Sequence, residues 1–186
     1  MRIKKDRPSD LKAVVCNELY NWLEVFVWAV VMIALVFIFI GRMVTVVGSS
    51  MEPTFYQGQC LLVSGIACQP QRGDIVVFGI PGQTDEKMIK RVIAVAGDTV
   101  DIDPLRCEVT VNGEILKELY IMSPTDDVYD FKGPVQIPEG KLFVLGDNRS
   151  DSIDSRCRCV GLIDERSVYG KVFCRIYPLW EWAWIE

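Results

Sequence analysis

The sequence predicts a mainly β protein, a β-barrel or sandwich that follows a single N-terminal transmembrane helix. Two observations carry this prediction. Residues 25–41 form one uncharged apolar run, VFVWAVVMIALVFIFIG. After this run the chain consists of short segments of alternating apolar and polar residues separated by Gly and Pro, which is the pattern of β-strands and turns. With 186 residues, the chain has room for one compact domain and a short appendage.

The apolar run has the length of a membrane-spanning helix. At about 1.5 Å per residue it extends roughly 26 Å, close to the thickness of a bilayer core. Basic residues are concentrated before the run: Arg2, Lys4, Lys5, Arg7 and Lys12 precede it, and Arg42 follows it. The positive-inside rule therefore places residues 1–24 in the cytoplasm and residues 42–186 outside the cell membrane. A cleaved signal peptide is the alternative, but residues 1–24 make a long leader for one.

The predicted strands all lie in residues 42–186. They are Met43–Gly48, Cys60–Ser64, Asp74–Gly79, Met88–Ala96, Thr99–Ile102, Glu108–Val111, Lys141–Gly146 and Val168–Tyr177. Asn112-Gly113 gives a two-residue hairpin signal, and Pro81-Gly82 marks another turn. Residues 103–138 have weaker strand character and many turn formers, so we expect an inserted cap lobe there.

The composition excludes several classes of function. The net charge is −5, with 20 basic and 25 acidic residues, so the basic surface that nucleic-acid binding needs is missing. The chain has no histidine, which excludes Ser-His-Asp and Cys-His catalysis and imidazole metal sites. Any proton transfer must use Lys, a carboxylate, Tyr or Cys. We expect neither a metal nor another cofactor.

The cysteine pattern leaves the redox state open. The chain has seven cysteines, so at least one is unpaired within it: Cys16, Cys60, Cys68, Cys107, Cys157, Cys159 and Cys174. Free thiols and disulfides are both compatible with the sequence, because the outcome depends on the oxygen supply of the host. No CxxC pair exists, and Cys157-Arg-Cys159 alone does not make a zinc half-site.

Two blocks supply a candidate nucleophile and a candidate base. Ser50 comes directly after the first predicted strand and before a Pro turn, where its hydroxyl can be exposed. In the apolar run of residues 88–96, period-2 alternation directs either Lys90 or Arg91 inward, and Lys90 can be the inward one. Burial would lower the pKa of this lysine from about 10.4 toward neutrality. The alternatives are an ordinary Ser-Pro turn and a charge pair on an edge strand.

A third block is the polar loop 146–156, GDNRSDSIDSR, which follows a strongly apolar strand. Alone it is compatible with a solvated turn. Together with a serine, a lysine and the absence of histidine, it indicates a Ser-Lys dyad. In such a dyad the neutral lysine acts as the general base.

These blocks resemble bacterial type I signal peptidases. The similar blocks, in order and spacing, are SMEPT at 50–54, RGDIVVF at 72–78, KRVI at 90–93 with Gly97-Asp98, and the loop 146–156. The resemblance covers about residues 22–177, and the short chain with one anchor resembles the Gram-positive members. It implies the signal-peptidase fold and a membrane-anchored serine endopeptidase that removes signal peptides from exported preproteins after Ala-X-Ala-like sequences. The implied partners are preprotein signal peptides and membrane lipid, without nucleic acid, and we expect a monomer.

The resemblance also implies a role for each residue of the dyad and its support. Ser50 would be the nucleophile, and Lys90 would be the general base. Ser152 would hydrogen-bond Lys90 and orient it. Asp154 and Arg156 would form an ion pair that holds the loop.

The oxyanion hole and the substrate pocket are implied in the same way. The main-chain N–H of Ser50 would supply part of the oxyanion hole. Some relatives carry a hydroxyl at the position of Gly48, so that donor is missing here or is a backbone group. Small substrate side chains would bind against an apolar wall formed by Val46, Val47, Met51 and Ile89.

Two further departures from the family pattern lie outside the dyad. Ala94 and Ala96 replace a glycine and a proline before Gly97-Asp98, which can alter that turn. Ser150-Asp151 replaces an acidic residue followed by an amide. Neither change affects Ser50 or Lys90, so the sequence still predicts catalysis.

Three other functions share parts of this pattern. A conjugation-type processing protease would keep the same dyad. A repressor-type self-cleaving protease shares the Ser-Lys chemistry, but it is cytoplasmic and carries a DNA-binding region, which the apolar run and the acidic composition argue against. A non-catalytic membrane-anchored binding module is expected to have lost Ser50 or Lys90, and both are present.

The C-terminal segment 177–185, YPLWEWAWI, predicts contact with the membrane surface. Its three tryptophans stand at alternate positions, so an extended segment would project all three rings to one side. Tryptophan favours the headgroup region, where its apolar ring and its N–H are both accommodated. The alternative is that the rings pack onto the β domain.

Overall fold

The computed structural model describes residues 8–40, 42–65, 69–80 and 87–185. The basic residues before Pro8, the cysteine at 68 and the predicted turn at Pro81-Gly82 lie outside the described residues. The chain divides into two compact units, residues 1–40 and residues 41–186. The first contains a single helix, and the second contains all of the strands.

Helix α1 (Pro8–Ile40) begins well before the predicted start of the apolar run at residue 25. Residues 9–40 contain no Gly or Pro, so nothing in the sequence ends the helix between Pro8 and the apolar run. Pro8 suits the first helical position, where a missing N–H costs no hydrogen bond. Within the described residues, the stretch Val14–Ala34 is long and apolar enough to cross a membrane, and its side chains are all exposed.

The second unit is mainly β, which confirms the predicted fold class. Its strands are β1 (Arg42–Thr45), β2 (Cys60–Ser64), β3 (Ile75–Gly79), β4 (Lys87–Ala94), β5 (Thr99–Asp103), β6 (Glu108–Val111), β7 (Glu114–Ile115), β8 (Val135–Gln136), β9 (Lys141–Leu145), β10 (Ile163–Asp164), β11 (Val168–Tyr177) and β12 (Ala183–Trp184). Two short 3₁₀ helices, Glu165–Ser167 and Leu179–Glu181, flank β11.

The strands form two sheets. The larger has the order β1-β2-β11-β3-β4-β9-β10, with β12 paired to β11. The smaller has the order β7-β6-β5-β8, and all of its pairings are antiparallel. The smaller sheet runs from Thr99 to Gln136. It therefore includes β5, which lies before the start of the predicted lobe at 103–138. The predicted Asn112-Gly113 hairpin turn is confirmed, with φ values of 55° and 80°.

Three apolar clusters hold the β unit together and fix the strand that carries Lys90. One cluster, which includes Met51, Phe55 and Leu61, packs beneath the turn after β1. Another joins the smaller sheet to β4 and β9 through Ile93 and Phe143. Strand β4 lies between β3 and β9, with Lys90 opposite Val76 and Arg91 opposite Leu145.

The cysteines form one pair among the described residues. Cys157 and Cys159, which the sequence left open, are joined by a disulfide directly after the polar loop. Cys16, Cys60, Cys107 and Cys174 are free thiols, and Cys174 is buried. Burial raises the pKa of the Cys174 thiol, which makes it less reactive.

Candidate active site

Ser50 lies in a turn immediately after β1. Strand β1 ends at Thr45, earlier than predicted, because Gly48 takes φ = +86° and the chain then bends into consecutive turns. The buried side chain of Met51 fixes the turn, and the Phe55 N–H closes it by donating to the Met51 carbonyl at 2.8 Å. The hydroxyl of Ser50 is thereby held half-buried at the end of an edge strand.

Lys90 lies in the middle of β4 and is 2% exposed. Its Nζ donates a hydrogen bond to Ser50 Oγ over 2.6 Å. No described carboxylate forms an ion pair with this ammonium group. Burial lowers the pKa of Lys90 to about 8. The negative charges of Asp154 and Asp147 act in the opposite direction, but they raise the pKa by less than burial lowers it. The geometry therefore joins a serine hydroxyl to a lysine that can lose its proton near neutral pH.

The prediction that only one of the two adjacent cations points inward is wrong. Arg91 is also buried, at 6% exposure. Strand β4 is central in the sheet, and Asp147 of the loop 146–156 and Tyr120 of the lobe contact Arg91 on the face that alternation assigned to solvent. Arg91 donates to both carboxylate oxygens of Asp147, at 2.8 and 2.7 Å, and its guanidinium lies 4.0 Å from the centre of the Tyr120 ring.

Asp154 and Arg156 form the predicted ion pair. Arg156 Nε and Nη2 donate to Asp154 at 2.8 and 2.9 Å, and neither residue is more than 1% exposed. Arg156 also donates to the carbonyl oxygens of Asp127 and Arg149 at 2.8 Å. Asp154 accepts the Gly146 N–H at 3.1 Å. The pair thus ties both ends of the loop 146–156 to each other.

Ser152 is buried beside the dyad's loop, at 3% exposure. Its hydroxyl makes no hydrogen bond with any described residue, so its bond to Lys90 remains a prediction. Gly146 is required here because a Cβ at this position would overlap the Ser152 side chain and the Ser50 carbonyl oxygen. Gly146 therefore lies against both the Ser152 side chain and the backbone of the nucleophile.

Ser50 and Lys90 open onto a shallow groove of about 370 Å³. The residues that line it are Val44, Thr45, Val46, Val47, Ser50, Met51, Lys87, Met88, Ile89 and Lys90. The structure places all four predicted wall residues there, although Val46 and Met51 are buried beneath the surface while Val47 is 83% exposed. Six of the ten lining residues are apolar, and the binding of small substrate side chains against them stays a prediction.

The sequence did not predict which residues of other segments hydrogen-bond the loop 146–156. Arg149, completely buried, donates to Thr125 at 2.7 Å and to Glu118 at 3.1 Å, and both partners belong to the lobe. Asn148 donates its backbone N–H to the Ser50 carbonyl at 3.1 Å. These partners are distant in sequence, and only the high polarity of the loop hints that it needs them.

The described residues contain no group of three or more His, Cys, Asp or Glu side chains that could hold a metal ion. The buried arginines of the site are paired with carboxylates, and Lys90 is hydrogen-bonded to Ser50. The arrangement can carry out acyl transfer, in which a hydroxyl attacks a carbonyl and a buried amine receives the proton.

Comparisons with known proteins agree with this chemistry. The family model described as signal peptidase, peptidase S26, matches residues 19–177. A signal peptidase I from Bacillus licheniformis is 38% identical, with 83% of this chain and 86% of the relative covered. A probable signal peptidase I-2 from a Synechocystis species is 34% identical over 86% of this chain and 75% of the relative. A crystal structure of a signal peptidase I from Enterococcus faecalis V583 is 31% identical, with a TM-score of 0.45, 56% of this chain and 97% of that chain covered.

Proposed function

The chain belongs to the peptidase S26 family of signal peptidases, and on that premise we propose that Ser50 and Lys90 carry out its reaction. The reaction is the removal of N-terminal signal peptides from exported preproteins by a serine endopeptidase. The observation that carries the assignment is the 2.6 Å contact between Lys90 Nζ and Ser50 Oγ, formed by a buried lysine that pairs with no carboxylate of the described residues. Conjugation-type and repressor-type proteases would use the same pair, and the family match favours signal peptides as substrates.

Acylation begins when Lys90 is neutral. Ser50 Oγ attacks the scissile carbonyl carbon, and its proton moves to Lys90 Nζ as the new C–O bond forms. The C–N bond then breaks, and the Lys90 ammonium gives its proton to the leaving amine, which is the N-terminus of the mature protein. In the second half, water attacks the acyl carbonyl carbon while Lys90 accepts a proton from it. The ester C–O bond then breaks, Lys90 returns the proton to Ser50 Oγ, and the signal peptide leaves with a free carboxyl group.

The backbone N–H of Ser50 supplies one donor to the oxyanion. Residue 48 adds no hydroxyl, because it is a glycine, and its φ of +86° makes a side chain at that position strained. The donor that some relatives carry at this position is therefore missing here or is a backbone group. Ser152, buried and without a partner among the described residues, orients Lys90 once the lysine is neutral and Ser50 has reacted.

The groove selects the substrate side chains that come just before the cleaved bond. Val46 and Ile89 form its floor, and Val47 and Met88 form its rim. A shallow apolar surface of this kind has room for Ala and other small side chains, and larger ones would project into solvent. Cleavage after Ala-X-Ala-like sequences is the expected outcome.

The N-terminal helix anchors the enzyme in the cell membrane as a single pass. The described side chains of Val14–Ala34 are exposed and apolar for the most part, as a lipid-facing helix requires. The basic residues before it place the N-terminus in the cytoplasm and residues 42–186 outside. Protease added to intact spheroplasts tests this orientation and should digest the β unit. If the β unit is fully protected, the orientation is the reverse of the one proposed.

The C-terminal tryptophans contact the lipid surface. Trp180 is 81% exposed and Trp184 is 65% exposed, so the rings do not pack into the β unit. The segment is not extended throughout, since Leu179–Glu181 forms a 3₁₀ helix after Pro178. Brominated lipids should quench these tryptophans in full-length protein whose helix tryptophans, Trp22 and Trp28, are changed to Phe. Tryptophan fluorescence that stays unchanged at saturating brominated lipid would contradict the contact.

Purified full-length protein in detergent tests the assignment directly. Ser50→Ala and Lys90→Ala should each abolish cleavage of a preprotein, while Ser167→Ala and Lys117→Ala retain it. Both control residues lie away from the groove and the loop 146–156. A non-catalytic binding module would show no cleavage by any of these proteins, wild type included.

A further inference from the structure

An exposed carboxylate lies next to the nucleophile, outside the lining of the groove. Asp151 is exposed, and its Oδ2 accepts a hydrogen bond from the hydroxyl of Ser49, the residue before Ser50. The groove is lined by residues 44–47, 50 and 51 and by residues 87–90 of β4, and neither Ser49 nor Asp151 takes part. The two sides of Ser50 therefore differ in chemistry: one is apolar, and the other carries a negative charge.

The position of Asp151 is fixed by the loop. Its N–H donates to the Asn148 carbonyl at 3.2 Å, and the Asn148 side chain donates to the Ser49 carbonyl, also at 3.2 Å. The Asn148 N–H in turn reaches the Ser50 carbonyl. These bonds hold the carboxylate against the backbone that carries the nucleophile, even though the carboxylate itself faces solvent.

A substrate that is cleaved at Ser50 must cross from one side to the other. If its small residues occupy the groove, the residues after the scissile bond leave over Ser49 and Asp151. Consecutive Cα atoms lie 3.8 Å apart, so the first two residues of the mature chain pass within reach of this carboxylate. A lysine or arginine there gains an attraction, and an aspartate or glutamate meets a repulsion.

We propose that Asp151 is a specificity-determining residue that makes the enzyme favour a cationic side chain within the first two residues after the cleavage site. This inference rests on the proposed function, because it needs Ser50 as the nucleophile and the groove as the site for the residues before the bond. Since Asp151 is exposed, the preference is moderate and falls as salt is added.

The test uses full-length protein in detergent and peptides that share the same residues before the scissile bond. One set of peptides carries Lys, Gln or Glu as the second residue after the scissile bond. A control set carries the same three residues as the sixth residue, which is farther from Asp151. The quantity compared is the ratio of kcat/KM for the Lys peptide to that for the Glu peptide. This ratio is insensitive to any change in the pKa of Lys90, because such a change affects both peptides equally.

We expect the wild type to favour Lys over Glu by about 5-fold to 10-fold at the second residue and by less than 2-fold at the sixth. Asp151→Asn should bring the ratio close to 1, and Asp151→Lys should reverse it. Asp126→Asn, which removes an exposed carboxylate of the lobe, should leave it unchanged. A wild-type ratio near 1, or a ratio that survives Asp151→Asn, overturns the inference. Either result leaves the dyad assignment intact, since that assignment is tested separately by cleavage of the same peptides by Ser50→Ala and Lys90→Ala.

Discussion

Around the loop 146–156, the buried arginines and the buried lysine differ in whether a carboxylate balances their charge. Each arginine has one: Arg91 of β4 has Asp147, Arg149 of the loop has Glu118, and Arg156 of the loop has Asp154. On β4, Lys90 is equally buried but donates only to a neutral hydroxyl among the described residues. Paired arginines keep their charge at every accessible pH, so they build a scaffold. An unpaired lysine gives up its proton easily, so it can serve as a base.

The largest expected effect comes from changing Lys90, which has no carboxylate partner among the described residues, or Ser50, to which it is bonded. Ser50→Ala and Lys90→Ala should each reduce kcat/KM by several orders of magnitude, and the double variant should lose little more, because the two residues act as a unit. Single-turnover cleavage of a preprotein in detergent measures all three proteins. Additive losses would show that Ser50 and Lys90 act independently.

Changes at the ion pairs of the buried arginines should lower the free energy of unfolding. Asp154→Ala leaves the Arg156 guanidinium buried without its carboxylate, which should cost about 3 to 5 kcal/mol of unfolding free energy. Denaturant unfolding of the full-length protein in detergent measures this. The matched control is Arg166→Ala, which removes an ion pair whose arginine side chain is 91% exposed and should cause a much smaller change. Equal changes in the two variants would contradict the distinction.

Removing the unpaired lysine should stabilise the protein below neutral pH. The pKa of Lys90 is about 8 in the folded protein and near 10.5 when unfolded, so the unfolded state binds more protons between these values and stability rises with pH across them. At pH 6 the protonated lysine costs about 3 kcal/mol, which Lys90→Met removes.

The gain from Lys90→Met should shrink between pH 8 and pH 10.5, as Lys90 becomes neutral in both states. Thermal unfolding of the wild type and the variant at pH 6 and pH 9.5 gives the comparison. A lower unfolding temperature of the variant at pH 6 would mean that the charge of Lys90 is stabilised by a partner.

The pH dependence of the reaction follows from the same pKa. Because only neutral Lys90 accepts a proton, kcat/KM should rise about tenfold per pH unit below 8 and level off above it. Asp151→Asn should move this limb slightly toward lower pH, since the Asp151 charge raises the pKa of Lys90 but acts on it more weakly than the charges of Asp154, Asp147 and Arg156. A limb that moves to higher pH would contradict the sign of this interaction.

The sequence allowed the prediction of the residues that carry a local signature. Ser50 follows a strand and precedes a Pro turn, Lys90 interrupts an apolar run, and the loop 146–156 is polar after a buried strand; the structure brings these three blocks together. The limits of β2 and β11 also match, because alternation and turn residues define both ends.

Contacts between distant segments could not be predicted in this way. Glu118 and Tyr120 reach from the lobe to Arg149 and Arg91, and no pattern within either segment identifies the partner. Period-2 alternation also failed at Arg91, because it assumes a strand with one face in water, whereas β4 is buried on both faces. The early start of α1 at Pro8 was missed because hydropathy marks the apolar run and not the polar turns that extend it.

The central claim is that Lys90 is a buried amine held close to neutrality. Its pKa can be measured directly by NMR titration of full-length protein labelled with ¹³C at the lysine Cε, with Lys90→Met used to assign the signal. The account predicts a titration with a midpoint of about 8 in the wild type, well below that of the exposed lysines. A midpoint near 10.5 would contradict it, since a lysine that remains charged at neutral pH could not take the proton of Ser50.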